Sequence, residues 1–222
     1  MFNHLRRHFR LAAVALLCFA MSGLAHAHPH GWIDLRMRLV VDDEGRLTGL
    51  HQSWRMDPFY SLVVLEELGQ AGGDDGLEAA LDQLGSEIRD NLVPYGYYTE
   101  LYAGDQKQAF DAVNDYTVLE RGGRVEFIFL LPLAEPQPLA GQTLRYQVFD
   151  PTYYIEMVHE EEERVPAEDA LLVGGELACE TLIHQPSPDP ELVMRAAMLD
   201  VTDEAEPGLG RHFAETGEVT CR

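Results

Sequence analysis

Basic residues, cysteines and long apolar runs are scarce in this chain of 222 residues. Its 16 Lys and Arg are outnumbered by 38 Asp and Glu, which gives a formal net charge of −22. Because such a charge repels phosphate backbones, we expect no nucleic-acid partner. HExxH motifs, phosphate-binding loops and internal repeats are also lacking, which disfavours hydrolase chemistry and repeat architectures. The 46% of hydrophobic residues is nevertheless sufficient for an ordinary packed core.

The N-terminus carries the one long apolar stretch. Three arginines precede the residues from Leu11 to Leu24, and Ala25-His26-Ala27 follows them. This order is typical of a secretory signal peptide that is cleaved after Ala27. The stretch is shorter than the roughly 20 residues of a membrane-spanning helix. We therefore predict a signal peptide over residues 1–27 and a periplasmic mature protein with no membrane span.

Two cysteines, Cys179 and Cys221, follow the predicted cleavage site. An exported protein folds in an oxidising compartment, so an even number of cysteines predicts a disulfide. Closing a loop of this length is worth about 3 to 4 kcal/mol in the chain-entropy model. A thiolate metal site is the alternative, and it would require reduced sulfurs.

Hydrophobic periodicity predicts an N-terminal β-hairpin. Residues 33–39 alternate between apolar and polar side chains, Asp42 to Gly45 supply a turn, and residues 47–56 read as the returning strand. Pairing Asp42 with Gly45 fixes the register of the two strands. The resulting pairs include Ile33 with Trp54, Leu35 with Gln52, Arg36 with His51 and His30 with Asp57.

The rest of the chain reads as an α+β fold with a mainly antiparallel β-sheet and two or three helices. Residues 28–165 are predicted to form the main domain, and residues 166–222 a disulfide-tied segment packed on it. We predict helices over residues 58–68, 77–92 and 190–199, and strands over residues 97–102, 116–120, 124–131, 143–149, 153–158 and 171–177.

The start of the predicted mature chain carries a candidate metal site. Cleavage after Ala27 would give His28 a free amine, and this amine and the imidazole can chelate one ion together. Pro29 lacks an amide hydrogen, which excludes the square-planar mode that uses deprotonated backbone amides. His28 and His30 point to the same side of an extended chain. A solvated His-Pro-His tail is the alternative interpretation.

Two aspartates are further candidate ligands of this site. Asp57 could supply a carboxylate ligand, orient an imidazole, or simply cap the helix that follows Pro58. Asp150 precedes Pro151, and it is a turn residue unless the fold brings it to the N-terminus. Among the other histidines, His51 reads as a surface residue. His159 precedes four glutamates, which either form a solvated acidic loop or concentrate cations near a site.

Several segments together resemble a family of bacterial exported proteins of unknown function. They are His28-Pro29-His30, Trp54 to Asp57, Asn91 to Tyr98, Asp150 to Tyr154 and the late cysteine pair. That family is usually described as the periplasmic component of an uncharacterised ABC-type transport system, and its members are commonly encoded beside nickel/cobalt-type permeases. The resemblance implies an accessory role in transition-metal transport, with an inner-membrane permease as partner.

We therefore expect a periplasmic protein, not an enzyme, that binds a divalent transition-metal ion. Imidazole and amine ligands suit Zn, Ni, Co or Cu, and affinity order alone does not select among them. A copper-dependent oxidative enzyme that uses the N-terminal histidine is one alternative. A non-metal adaptor is another, and it would dock a membrane partner through aromatic residues such as Tyr95, Tyr97 and Tyr98.

Overall fold

The structure, a computed structural model, describes residues 29–71, 76–199 and 205–222. The α-helices of this described part are α1 (Pro58–Ala71), α2 (Gly76–Leu92) and α3 (Pro190–Met198). Its strands are β1 (Gly31–Val41), β2 (Arg46–Met56), β3 (Thr99–Ala103), β4 (Gln106–Lys107), β5 (Asp115–Arg121), β6 (Arg124–Pro138), β7 (Thr143–Val148), β8 (Ile155–His159), β9 (Glu161–Glu162), β10 (Val165–Pro166), β11 (Leu171–Val173), β12 (Cys179–His184) and β13 (Thr216–Cys221). The predicted α+β class with mainly antiparallel pairing is confirmed.

The hairpin of β1 and β2 is antiparallel as predicted, but its predicted register is wrong by two residues. Gly45 has a left-handed φ of 76° and lengthens the turn, so that Asp42 pairs with Arg46. A β-bulge at Thr48 adds the second extra residue. Because side chains alternate with a period of two, an even shift leaves each one on its predicted face. The observed pairs include Ile33 with Met56, Leu35 with Trp54 and Arg38 with His51.

The larger sheet extends from both sides of this hairpin. On one side, β6 pairs with β2 and β5 pairs with β6, both in the antiparallel sense. On the other side, β8 runs parallel to residues 31–35 of β1, and β11 runs parallel to residues 37–39. Parallel neighbours need long crossover connections, which no local sequence pattern indicates. The pairing with β8 brings the start of the described chain beside residue 154.

The second sheet has the strand order β12-β13-β7-β3-β4 and is antiparallel throughout. Cys179 pairs with Cys221 across β12 and β13, and the two are joined by a disulfide, which confirms the predicted bridge. The C-terminal segment thus supplies strands to both sheets. The strands β12 and β13 were not among those that the periodicity predicted.

One continuous apolar core joins the two sheets. Trp54 packs edge-on against Phe129, with ring centroids 5.1 Å apart, and Phe127 and Phe129 are stacked at 4.8 Å. Leu101 and Tyr146 of the second sheet are buried in the same core. Burying each large apolar side chain contributes roughly 1.5 to 3 kcal/mol, so these rings hold the sheets together.

The first two helices differ in how they use their apolar residues. Helix α2 packs closely on β5, where a Cβ added at Gly85 would lie 3.1 Å from Val118. Helix α1 instead leaves several apolar side chains in solvent, among them Phe59 and Leu62, which are 76% and 61% exposed. A helix with apolar residues on its solvent face indicates a binding surface.

The segment before β3 departs from its predicted extended structure. Gly96, Tyr97 and Tyr98 have left-handed φ values of 57°, 54° and 54°, so the strand predicted from residue 97 begins at Thr99. Within the described residues, no helix has the length and apolar content needed to cross a membrane.

Candidate functional site

A cleft of about 480 Å³ lies where the described chain begins. It opens between the start of β1, the first turn of α1 and the loop that precedes β8. Its walls are largely apolar, and they include the aromatic residues Trp32, Phe59, Tyr60 and Tyr154. His30 and Asp57 also line it. The structure therefore brings two of the four predicted metal-ligand candidates to one cleft.

Asp57 holds the end of β2 and the beginning of α1 together. Its backbone amide donates to the carbonyl of Trp32 at 3.0 Å, and its Oδ1 accepts the amides of Phe59 and Tyr60, both at 2.9 Å. This geometry confirms the predicted helix cap. Oδ2 faces Gly31, where an added Cβ would lie 2.8 Å away, and it accepts no hydrogen bond from the described residues. Oδ2 is not among the buried unpaired atoms of the described structure, so this oxygen is accessible from the cleft.

His30 is fixed at the rim of the cleft by the loop before β8. Its backbone amide donates to the carbonyl of Tyr154 at 2.9 Å, and the two rings lie 4.6 Å apart between centroids. The predicted direct pairing of His30 with Asp57 is wrong, because the register shift sets Asp57 beside Trp32. Both side chains line the cleft nonetheless. His28 lies outside the described residues.

Asp150 shapes the loop that carries Tyr154. Its Oδ1 accepts the amide and hydroxyl of Thr152 at 2.9 and 2.8 Å, and its Oδ2 accepts the amides of Tyr154 and Ile155 at 3.1 and 3.2 Å. Both oxygens of this buried carboxylate are therefore occupied by the turn. Ligation by Asp150 stays a prediction, and its observed contacts are those of a turn residue.

No three His, Cys, Asp or Glu side chains cluster in a metal-binding arrangement among residues 29–71, 76–199 and 205–222. Protein zinc sites have three or four protein ligands. His30 and Asp57 are two donors, so a complete set would need a further donor from outside these residues or from the bound species itself.

Comparison with known proteins places the chain in a family. Residues 13–221 match the family model described as "Protein of unknown function (DUF1007)". The chain belongs to the DUF1007 family. A relative described as an uncharacterized protein of Haemophilus influenzae is 28% identical over 198 residues, which cover 88% of this chain and 91% of that one. The predicted membership of a family of unknown function is thus confirmed, while the periplasmic location and the transport partner stay predictions.

A likeness to a solved structure is too weak to carry an argument about this DUF1007 protein. The crystal structure of an acetylcholine-binding protein from Bulinus truncatus aligns with a TM-score of 0.28 and 8% identity. The alignment covers 86% of this chain and 85% of that one.

His159 has a role that the sequence reasoning missed. The sequence indicates only that it precedes an acidic run, but its side chain is buried, at 2% exposed. Its Nε2 lies 2.6 Å from the hydroxyl of Tyr146, and its Nδ1 lies 2.7 Å from Oε2 of Glu215. His159 follows Ile155 and Met157 at intervals of two, a period that would have indicated an inward-facing residue. These residues connect β8 of the larger sheet to the second sheet.

The electrostatics of this buried cluster follow from its hydrogen bonds. Burial by itself would raise the pKa of Glu215, but hydrogen bonds from His159 and Gln185 lower it below its ordinary value. Burial raises the pKa of Tyr146 well above its ordinary value. A carboxylate only accepts hydrogen bonds, so Nδ1 of His159 donates to Glu215, and Nε2 and the Tyr146 hydroxyl are hydrogen-bonded to each other.

The glutamates after His159 are not all solvated. Glu160 forms ion pairs with Arg36 and Arg55 on the polar face of the hairpin. On the same face, Arg124 donates to Asp34 at 2.5 Å. These carboxylates are already neutralised by arginines, so they do not form an open cation site.

A second cleft, of about 390 Å³, shares Tyr98 with the first one. Tyr95 lines the second cleft but not the first. Glu100 pairs there with Arg211 and Lys107, and these two cations lower the pKa of Glu100 against the raising effect of its burial. The aromatic cluster expected to dock a partner is smaller than predicted. Tyr97 is 4% exposed and belongs to the core.

Proposed function

We propose that the protein is a periplasmic accessory protein that captures a divalent transition-metal ion and supports its transport by an inner-membrane permease. The ion is Zn, Ni, Co or Cu, for which imidazole and carboxylate are suitable ligands. The imidazole of His30 and a carboxylate oxygen of Asp57 are two of the donors. After cleavage, the imidazole and the free amine of His28 supply two more.

One observation carries this proposal. His30 directly precedes β1 and Asp57 directly follows β2, both line one cleft, and Oδ2 of Asp57 accepts no hydrogen bond from the described residues. Gly31 supports the arrangement, because any larger residue would push a Cβ against that oxygen. Oδ2 is not among the buried atoms of the described structure that lack a hydrogen-bond partner, so it is open to the cleft, and a carboxylate oxygen there is a suitable ligand for a transition-metal ion.

The charge of the whole protein supports the same function. A formal net charge of −22 raises the local concentration of cations and speeds their capture. Since the nearby glutamate Glu160 is paired with arginines, the described acidic groups on the hairpin compete little with the cleft for the ion.

The test is a calorimetric titration of Ni²⁺ and Zn²⁺ into protein processed to begin at His28. We expect His30→Ala and Asp57→Asn each to weaken binding by more than about tenfold, since even changes outside the coordinating set cost 10–100-fold. Asn at position 57 still accepts the amides of Phe59 and Tyr60, so the helix cap is retained. A version with one extra residue before His28 should also lose affinity, because the amine becomes an amide.

The matched control is His51→Ala. This histidine is exposed on β2 and does not line the cleft, so its loss should leave the affinity unchanged. If His30→Ala, Asp57→Asn and the extended version all bind the ion like the unaltered protein, these groups are not its ligands and the proposal is wrong. Mass spectrometry of material from the periplasmic fraction checks that the chain begins at His28.

A second candidate, a metal-independent adaptor, is favoured by the exposed apolar side chains of α1. Phe59 and Leu62 are well exposed beside the cleft. An adaptor would bind a purified permease equally well after exhaustive chelation, whereas a metal carrier would require the ion.

A further inference from the structure

We infer that the cleft takes the metal ion as a complex with a small organic chelator that has a flat, apolar part. This inference rests on the proposed metal-binding function and names the form in which the ion is bound. The size of the cleft, its walls and its donors each support it.

The cleft is far larger than a metal ion requires. Metal–ligand distances of about 2.0 to 2.3 Å enclose a bare ion within its own donor atoms. A volume of about 480 Å³ instead falls within the range of pockets that hold small organic molecules. If the ion alone were bound, most of this volume would remain filled with water.

The walls of the cleft suit an organic surface better than a hydrated cation. Trp32 and Phe59 are 43% and 76% exposed, although both are large and apolar. Tyr60 and Tyr154 are also substantially exposed. Hydrated divalent ions gain little from such walls, whereas flat ligands stack on aromatic rings and bury apolar area against them.

The floor of the cleft is rigid. Trp54 is buried there, and its indole N–H donates to Gln52 at 2.9 Å, with Gln52 in turn donating to Thr99 at 3.0 Å. Because this hydrogen-bond chain holds the indole from inside the core, the buried ring is held in place at the floor of the cleft.

The donors of the protein leave room for a chelator. The described residues offer His30 and Asp57 at the cleft, and no cluster of three such donors occurs within the described ranges. Transition-metal ions in such sites take four or more ligands. Together with the imidazole and amine of His28, the proposed site has four protein donors, so a bidentate chelator on the aromatic side would take the two remaining positions of a six-coordinate ion such as Ni²⁺.

The experiment compares three probes by calorimetry with the processed protein: Ni²⁺ alone, the nickel–glycine complex and the nickel–2,2′-bipyridine complex. We expect the bipyridine complex to bind more tightly than the other two, by roughly two- to tenfold for each stacking contact. Bipyridine absorbance in the protein fraction after gel filtration should show that the chelator is retained. Bipyridine without nickel should not bind.

Two variants and one matched control complete the test. Trp32→Ala and Phe59→Ala should abolish the gain from bipyridine, so that each variant binds the bipyridine complex no more tightly than it binds Ni²⁺ alone. The control is Tyr95→Ala, which removes an exposed aromatic ring that lines the second cleft and not the first.

The outcomes separate this inference from the function on which it rests. Equal binding of all three probes, or a gain that survives both variants, overturns the chelate inference and leaves metal binding intact. Loss of binding by every probe overturns the proposed function as well. Binding of bipyridine alone would make the cleft an organic-ligand site and also overturn the inference.

Discussion

Replacing Tyr146 by Phe should destabilise the protein through a single missing hydrogen bond. The hydroxyl of Tyr146 lies 2.6 Å from Nε2 of His159, and both side chains are almost fully buried. Phe fills the same space, so packing against the core is retained. What changes is that Nε2 of His159 loses its partner in a place that water does not reach.

The magnitude follows from the cost of an unpaired buried polar group. A buried ring nitrogen left without its hydrogen-bond partner costs about 1 to 3 kcal/mol. For a protein of this size, each kcal/mol lowers the melting temperature by about 2 to 4 °C, so the expected decrease is about 2 to 12 °C. The Tyr146 ring packs so closely on Gly217 that an added Cβ there would lie 2.2 Å from the ring. The ring therefore cannot move toward Gly217 to compensate for the lost hydrogen bond.

Urea unfolding of the disulfide-intact protein measures the decrease in the free energy of unfolding that Tyr146→Phe causes. The matched control is Tyr116→Phe, because Tyr116 is partly buried and its hydroxyl has no hydrogen bond within the described structure. That control should stay within about 0.5 kcal/mol of the unaltered protein. If both variants unfold at the same urea concentration, the buried cluster does not stabilise the contact between the sheets and the reasoning is refuted.

Three further predictions concern the site and the stability of the fold. Gly31→Ala should weaken Ni²⁺ binding by roughly 10- to 100-fold in calorimetry, because the added Cβ would lie only 2.8 Å from Oδ2 of Asp57 and would push that oxygen away. Unchanged affinity would exclude that oxygen as a ligand. Cys221→Ser should lower the free energy of unfolding by about 3 to 4 kcal/mol, because it opens a disulfide loop with a sequence separation of 42. Urea titration measures this loss, and reducing the disulfide of the unaltered protein should cause a similar loss. The lowered pKa of Glu215 means that its stabilising contribution is present above its ordinary value of 4.5 and is lost as the pH falls through the lower folded value. Unfolding titrations between about pH 3 and 7 should therefore show a shallower acid loss for Glu215→Gln, and parallel curves would contradict this assignment.

The regular elements could be predicted because their signals are local. The alternation of Ile33, Leu35 and Met37 marks a half-buried strand, and the apolar spacing through Leu81 and Leu92 marks helix α2. Both patterns arise from the geometry of the backbone over a few residues. Tertiary contacts did not need to be known for either of them.

The register and the cluster around His159 could not be predicted in the same way. The extra turn residue at Gly45 and the bulge at Thr48 each shift the pairing by one, and a two-residue turn was equally compatible with Asp42 to Gly45. Tyr146 approaches His159 from β7 and Glu215 approaches it from the residue before β13, so neither could be assigned as its partner from a neighbouring position.

The amino-acid sequence by itself determined the α+β class, the main helices and the pairing of Cys179 with Cys221, because periodicity and an even cysteine count do not depend on how distant segments meet. Tertiary structure alone decided that Tyr154 joins His30 and Asp57 at one cleft, since the parallel pairing of β8 with β1 holds His30 beside residue 154. Buried polar groups need partners, and here those partners are far away in the sequence.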